Sequence, residues 1–226
     1  QDFIGHHENL GQIFLGVYSP GVVRVRRLAM LLSGLIPHPC GVVELEQYST
    51  DGNLAARWLA DIATFGDLNE GDTIADLGSG NGVLGVGALA IGAGRAILIE
   101  TDQEACSTAL TNIEQLGFGE SAVVIQARLG IDSIDIQSAD VIICNPPWGR
   151  QSPKADRPFL DAILSSGITA HLMHSAEASH IGPLFEENGW SVERYGEADF
   201  PLLAAYSHHS RQRGKTRAAF WRLTPK

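Results

Sequence analysis

The sequence predicts an α/β protein: a seven-stranded, mostly parallel sheet with helices on both faces, preceded by a helical N-terminal extension. Three observations predict it. From about residue 73 onward, short apolar runs alternate with helical runs, the pattern of a doubly wound sheet. After its first residue, Asp140 to Cys144 is an unbroken apolar run, as a strand buried on both faces requires. The segments with unusual glycine and proline content fall at strand ends, where such sheets bind their ligands. Together these describe a Rossmann-like architecture.

Residues 1–22 carry Gly, Pro and a His pair without clear periodicity and read as irregular. Val25, Leu28, Leu31, Leu32 and Leu35 recur at helical spacing, so 24–35 reads as a helix. The Ile36-Pro37-His38-Pro39-Cys40-Gly41 stretch ends it, because proline disfavours helical geometry in its predecessor. Asp51 or Asn53 can cap the next helix, which places Leu54, Trp58, Leu59 and Ile62 on one face. Strands are expected at 73–77, 96–100, 122–127, 140–144 and 168–173. The helices between them run from a glycine turn to about 91, then 103–116, 158–165 and 176–188. Runs at 190–195 and 217–223 close the sheet as an antiparallel pair. Residues 1–50 are assigned to the extension and 51–226 to the main domain; no internal repeat is present.

Composition narrows the class. Of 226 residues, 44% are apolar and 19% charged, as in soluble globular proteins. No stretch is long and apolar enough for a transmembrane helix, and no signal-peptide pattern is visible, though a start at Gln1 leaves a removed leader open. The three cysteines, Cys40, Cys106 and Cys144, are odd in number and lack metal-ligand spacing. This argues against a disulfide framework or zinc site and points to a reducing cytoplasm. His6-His7 and His208-His209 are adjacent, so on a strand they would point to opposite faces. His171 and His174 are also poorly spaced for a shared ion, and no metal site is expected. The net charge of -10 opposes a protein that grips nucleic acid mainly by phosphate neutralisation. The charge is uneven, however. No acid follows Leu203, and six bases do, among them Arg211, Arg213 and Lys215, the candidate phosphate-contacting residues. Arg24, Arg26 and Arg27 form a second basic group.

The first strand ends in Asp76-Leu77-Gly78-Ser79-Gly80-Asn81-Gly82-Val83-Leu84. Glycines allow a tight turn and close approach to a ligand. Glu100 ends the next strand, where a carboxylate can accept two hydrogen bonds from ribose hydroxyls. Gly80, Gly82 and Gly85 also fit a dinucleotide-binding pattern. Asp76 discriminates: an acid there would repel a pyrophosphate but suits a cofactor with a cationic amino-acid end. S-adenosylmethionine is therefore favoured over a nicotinamide dinucleotide.

The fourth strand ends in Asn145-Pro146-Pro147-Trp148. An exocyclic amine on a purine has a delocalised, weakly nucleophilic lone pair. Two acceptors aimed at its hydrogens can draw it toward tetrahedral geometry. The Asn145 side-chain carbonyl and the Pro146 backbone carbonyl are the expected acceptors, and Pro147 helps fix the backbone. Trp148 offers a flat face on which a target base turned out of its stack could lie. The motif pair points to methyl transfer to an amine nitrogen and leaves adenine, guanine and protein glutamine open.

Leu45-Glu46-Gln47-Tyr48-Ser49-Thr50, taken with the two motifs, resembles the methyltransferase-like protein five family and its archaeal relatives, the predicted RNA methylases. The resemblance runs from about Arg24 to the C-terminus, and its most selective part is the Leu-Glu-Gln-Tyr segment. It implies a class I methyltransferase acting on the exocyclic N6 amine of an adenine in small-subunit ribosomal RNA, with a small zinc-containing activator subunit. It implies that Gln47, Tyr48 and Thr50 cover the cofactor. Asp76, Gly78, Gly80, Asn81 and Val83 would line its methionine and ribose part, and Glu100 would hold the ribose. Some positions depart from the family pattern: Ser49 replaces a proline and Trp148 a phenylalanine. Met173-His174-Ser175 lacks the lysine found in relatives. Arg128 stands where an acid usually meets the cofactor's adenine. Arginine cannot accept that amine's hydrogen bonds, so backbone groups of Arg128 and Leu129 are expected there instead. In the usual strand order the third strand lies at the sheet edge, where an activator could add a strand or the chain could cover itself. A protein glutamine methyltransferase, a guanine amine methyltransferase and a non-catalytic assembly factor are the alternatives.

Overall fold

The computed structural model describes residues 18–19, 22–39, 50–149, 152–201 and 215–226. A two-residue ladder pairs β1 (Tyr18–Ser19) with β2 (Val22–Val23), within the stretch read as irregular. Next, α1 (Val25–Ser33) packs on α2 (Gly52–Thr64). Asp51 caps α2: its Oδ1 accepts from the N–H groups of Asn53 (2.9 Å) and Leu54 (3.3 Å), which decides between the two candidate caps.

The main sheet contains β3 (Thr73–Leu77), β4 (Arg95–Glu100), β5 (Ala122–Gln126), β6 (Val141–Cys144), β7 (Ala170–Ser175), β8 (Trp190–Pro201) and β9 (Lys215–Pro225). Its order is β5-β4-β3-β6-β7-β9-β8. The first five strands in that order run parallel, and β9 is antiparallel to both β7 and β8. The helices between strands are α3 (Val83–Ala90), α4 (Gln103–Gln115), α5 (Arg157–Ser166) and α6 (Ile181–Glu187). The seven-stranded, mostly parallel sheet is thus observed as predicted. Alternate residues of the central strands serve two cores. Ile74, Leu98 and Ile143 pack with Leu28, Trp58 and Val86, whereas Leu77, Ile99 and Ile142 pack with Leu160, Ile163 and Phe185. Burial on both faces is why these strands lack a polar side.

Two boundaries differ from the sequence reading by five residues or more. The helix expected from 176 begins at Ile181. Pro183 accounts for this: in a first turn its missing N–H is harmless, but deeper in a helix it would strip a carbonyl of its donor. The strand expected to stop at Tyr195 continues to Pro201 through a bulge between Arg194 and Gly196. No helix among the described residues is long and apolar enough to cross a membrane.

A polar network ties α2 to the antiparallel half of the sheet. The indole N–H of Trp58 donates to the Tyr195 hydroxyl (2.7 Å). That hydroxyl lies 3.1 Å from His171 Nδ1, and His171 Nε2 lies 2.8 Å from Asp67 Oδ2. A hydroxyl that already accepts has its own proton to give, so His171 Nδ1 accepts and Nε2–H donates to Asp67. Arg222 donates to both Asp67 oxygens, at 2.5 and 2.9 Å. Burial opposes ionisation of Asp67, but hydrogen bonds from Arg222 and His171 hold it below the usual carboxylate range. Its stabilising contribution is present above about pH 4 and lost as pH falls below that. Asp67→Ala is expected to destabilise the fold by about 2 kcal/mol, less than a fully buried pair because Arg222 is partly solvated. Denaturant titration at pH 7 and pH 3 tests this, since the difference between variant and wild type should shrink at the lower pH.

Candidate active site

A cleft of about 360 Å³ opens at the carboxyl ends of β3, β4, β5 and β6. Its floor is the glycine loop. The N–H groups of Gly78 and Ser79 both donate to Ile99 O (2.9 and 3.0 Å), latching the loop to the end of β4. Gly78 and Gly80 have φ of +73° and +54°, a region that disfavours side chains. A Cβ at Gly78 would come within 2.9 Å of Phe159, and one at Gly80 within 2.7 Å of His38. These glycines therefore keep the floor open. Gly82 and Gly85 serve packing instead, because a Cβ on either would meet Leu98 at 3.0 Å.

Glu100 lines the cleft and is nearly buried. Its Oε2 accepts from Gly80 N–H (2.9 Å), and its Oε1 from Thr101 N–H (2.7 Å) and Asp102 N–H (2.9 Å). A carboxylate has roughly four acceptor sites, so one, on Oε2, remains for a ribose hydroxyl. The sequence expectation of two such bonds is reduced to one unless a backbone donor yields. Glu100→Gln would turn an NH₂ toward one of these backbone donors. It is expected to weaken cofactor binding about tenfold or more by calorimetry and to lower the melting temperature.

Asp76 is fully buried and does not line the cleft. Its Oδ2 accepts from Gly85 N–H at 2.9 Å, while its Oδ1 has no partner. Burial pushes its pKa up to about 7, opposed by the Gly85 bond and reinforced by the charge of Glu100. Ser79 Oγ, in the cleft wall, is also buried without a partner. Two orphaned polar atoms, one beneath the glycine floor and one in a residue of the cleft wall, with the free acceptor site of Glu100, fit a cofactor that carries an ammonium group and hydroxyls.

Asn81 and Val83 line the cleft as expected. The Asn81 amide, however, donates to Ile36 O (2.9 Å), so its side chain anchors a neighbouring segment. Asn112 completes the anchor: its Oδ1 accepts from Ile36 N–H (2.8 Å) and its Nδ2 donates to Ile36 O and Asn81 O. This places His38 in the cleft wall. Burial lowers the His38 pKa, with Glu100 and Asp102 opposing. The Arg128 expectation needs correction. Its N–H donates to Asp132 Oδ2 (2.7 Å), and its carbonyl accepts from Ile131 and Asp132 in a tight turn. Both backbone groups are thus engaged within the turn, while Arg128 itself lines the cleft together with Ala127, Leu129, Gly130 and Ile131. Ile131, 72% exposed, adds apolar surface to that wall.

Asn145, Pro146, Pro147 and Thr50 line the same cleft, together with Pro158 and Phe159 of α5. Asn145 Nδ2 donates to Thr50 Oγ1 (3.0 Å). Trp148 departs from expectation. It is 7% exposed and absent from the cleft wall, packed on Phe200 (4.8 Å between centroids) and His174 (6.0 Å). Its indole N–H donates to Asn145 Oδ1 at 3.2 Å. The ring packs into the core that includes Phe200. Gln47, Tyr48, Arg211 and Arg213 lie outside the described residues, as does the side chain of Lys215 at the start of β9. Two other bases of the C-terminal run are paired, Arg222 with Asp67 and Arg217 with Glu197 (2.7 Å).

Asp156, His174 and His180 are the one grouping with metal-ligand types and spacing among the described residues. His174 Nδ1 accepts from Ser175 N–H (2.9 Å), so in the neutral ring Nε2 carries the proton and points it at Asp156. A metal at Nε2 would have to displace that proton from a ring whose other nitrogen already accepts. The trio is a hydrogen-bonded brace behind Trp148.

Residues 62–175 match the family described as conserved hypothetical protein 95. The chain is 32% identical over 201 residues to an uncharacterized protein of Methanocaldococcus jannaschii, an alignment covering 84% of this chain and 90% of that protein. It is 31% identical over 187 residues to rRNA N(6)-adenosine-methyltransferase METTL5 of Danio rerio, covering 80% and 89% respectively. A solved structure of a candidate RNA methyltransferase from Pyrococcus horikoshii superposes with a TM-score of 0.78 at 31% identity, over 90% of this chain and 98% of that one.

Proposed function

Because the chain belongs to the conserved hypothetical protein 95 family, alongside methyltransferase-like protein five and its archaeal relatives, it is a class I S-adenosylmethionine-dependent N-methyltransferase, and we propose that its target is the exocyclic N6 amine of an adenine in small-subunit ribosomal RNA. The observation that carries this reading is one cleft lined by both motifs, Glu100 and the glycine floor together with Asn145 and Pro146.

When bound, S-adenosylmethionine supplies an electrophilic methyl group on a sulfonium. The chain's own residues prepare the amine. Asn145 Oδ1 accepts one hydrogen bond from Trp148 and keeps a second lone pair for the substrate. The Pro146 carbonyl is the other acceptor. Drawing both amine hydrogens toward fixed oxygens localises the nitrogen lone pair for attack, and fixed dipoles do this best where water is scarce. Gln47 and Tyr48 complete the cover over the cofactor, and Arg211, Arg213 and Lys215 contact RNA phosphate.

A small zinc-containing activator protein adds a strand to β5. Support comes from the strand order, in which β5 is an edge with β4 on one side, and from its half-buried apolar residues Ala122 to Ile125. Incubation with labelled S-adenosylmethionine and unmodified small-subunit RNA tests the substrate. Label is expected in RNA as 6-methyladenine, and label in protein alone would overturn the reading. Full activity of the purified chain as a monomer would overturn the partner.

A further inference from the structure

A groove of about 560 Å³ runs between α1 and α2 and shares no lining residue with the cleft. Its walls follow from helical spacing. Arg26, Met30 and Ser33 stand at i, i+4 and i+7 on one face of α1, and Asn53 and Arg57 at i and i+4 on one face of α2. The two helices meet at Ser33 and Gly52, where a Cβ on the glycine would lie 2.6 Å from Ser33 N. The end of α1 therefore sits at the start of α2. That start is also the rim of the cleft, because Thr50 lines the cleft and its Oγ1 accepts from Asn145 Nδ2. Asn53 is three residues on from Thr50, within about 11 Å even along an extended chain. The groove thus leaves the rim at Ser33 and Asn53 and runs about 10 Å along α1 to Arg26.

The charge of this groove differs from that of the molecule. In a chain of net charge -10 acids are plentiful, and Arg157, Arg194, Arg217 and Arg222 each pair with one. Arg26 and Arg57 pair with none among the described residues, and no acid lines the groove. A guanidinium with free donors matches a phosphate bidentately. Met30, 70% exposed, adds soft apolar surface beside them, on which a ribose can rest. No aromatic side chain lines the groove, so base stacking has no platform there and the contact is to backbone.

We propose that the groove between α1 and α2 is a second RNA-contact surface, which holds the sugar-phosphate backbone of the strand flanking the target nucleotide, with Arg26 and Arg57 on its phosphates. This rests on the proposed RNA substrate and extends it. A strand whose target base reaches Asn145 passes the rim at Thr50, and the groove opens there.

The test is the double variant Arg26→Gln/Arg57→Gln, titrated with a fluorescent fragment of unmodified small-subunit RNA over a range of salt. Loss of two phosphate contacts should weaken binding about tenfold or more and reduce the slope of log affinity against log salt by about 1.4–1.8. Calorimetric affinity for S-adenosylmethionine should stay unchanged, because both arginines are exposed and neither lines the cleft. Arg95→Gln is the control. It removes the same charge from an exposed arginine at the first residue of β4, the end of the sheet away from the cleft. It should leave the slope unchanged, and a loss equal to that of Arg57→Gln alone overturns the inference by assigning the effect to net charge. Wild-type affinity and slope in the double variant also overturn it, and that is the result if the groove serves a protein partner. A wild type that binds the RNA through these arginines but does not methylate it counts against the proposed function and leaves the groove standing. A wild type that binds no small-subunit RNA overturns both.

Discussion

Asn145→Ala is expected to lower single-turnover methyl transfer by about 10²–10³-fold while S-adenosylmethionine affinity stays within about threefold. The loss follows from what the side chain does. Its carbonyl is one of two acceptors that draw the amine out of conjugation, and preorganised polar groups of this kind are worth most when their partner's charge is changing. The cofactor effect is small because the glycine floor and Glu100 are held by Ile99 O and by the N–H groups of Gly80, Thr101 and Asp102, none of which involves the Asn145 side chain. The substitution has a structural cost as well. It removes the carbonyl that accepts from the Trp148 indole N–H and the donor to Thr50 Oγ1, so about 1–3 kcal/mol of stability should go with it. Single-turnover assays below the melting temperature separate the two effects. A stable variant with turnover within fivefold of wild type would refute Asn145 as the catalytic acceptor.

The parts of the site that sequence made visible are those whose signal is local. Gly78, Gly80 and Glu100 sit at the ends of β3 and β4, and adjacent parallel strands bring such ends together whatever the rest of the chain does. Asn145 follows from the same rule at the end of β6. His38 escaped because its segment reads as a helix terminator. What carries it to the cleft is a pair of amides, Asn81 and Asn112, that grip Ile36 from far along the chain. Pro158 and Phe159 read as ordinary residues of α5, and only the close approach of Gly78 and Gly130 to them shows their place in the wall.

The burial of Trp148 has a particular cause. The strand reading stopped at Tyr195, so Phe200 had no assigned face. Before the bulge, Trp190 and Val192 serve the core that includes Phe185, and after it Ala198 and Phe200 serve the opposite core, with Trp58. One inserted residue reverses every side chain that follows. The bulge at Gly196 thereby turns Phe200 onto Trp148 and takes the indole out of the cleft. Gly196 inside a strand of alternating apolar and charged residues was the available signal for a bulge.

Asp76→Asn should make the ligand-free protein more stable and bind its cofactor more weakly. The folded-state pKa of Asp76, about 7, lies above that of an unfolded carboxylate. The folded chain thus keeps a proton that the unfolded chain releases, and stability declines as pH rises from about 4 to about 7, then levels. Asparagine carries no such charge. The variant should match wild type near pH 4 and exceed it most at pH 8, by at most about 4 kcal/mol and by less in practice, since its NH₂ inherits the unpartnered place of Oδ1. Thermal unfolding across that range reads the divergence. Binding runs the other way. Asp76 lies beneath the cleft floor rather than in its wall, so it acts on a cationic ligand by charge through the loop or through water. The ammonium end of S-adenosylmethionine favours the ionised carboxylate, so wild-type affinity should weaken as pH drops below about 7, with proton release detectable in buffers of different ionisation heat. The variant should bind about 10–100-fold more weakly at pH 8 and show no such slope. Equal affinity in variant and wild type at pH 8 would confine Asp76 to holding the Gly85 N–H at the start of α3 and would deny it any part in attracting the cofactor.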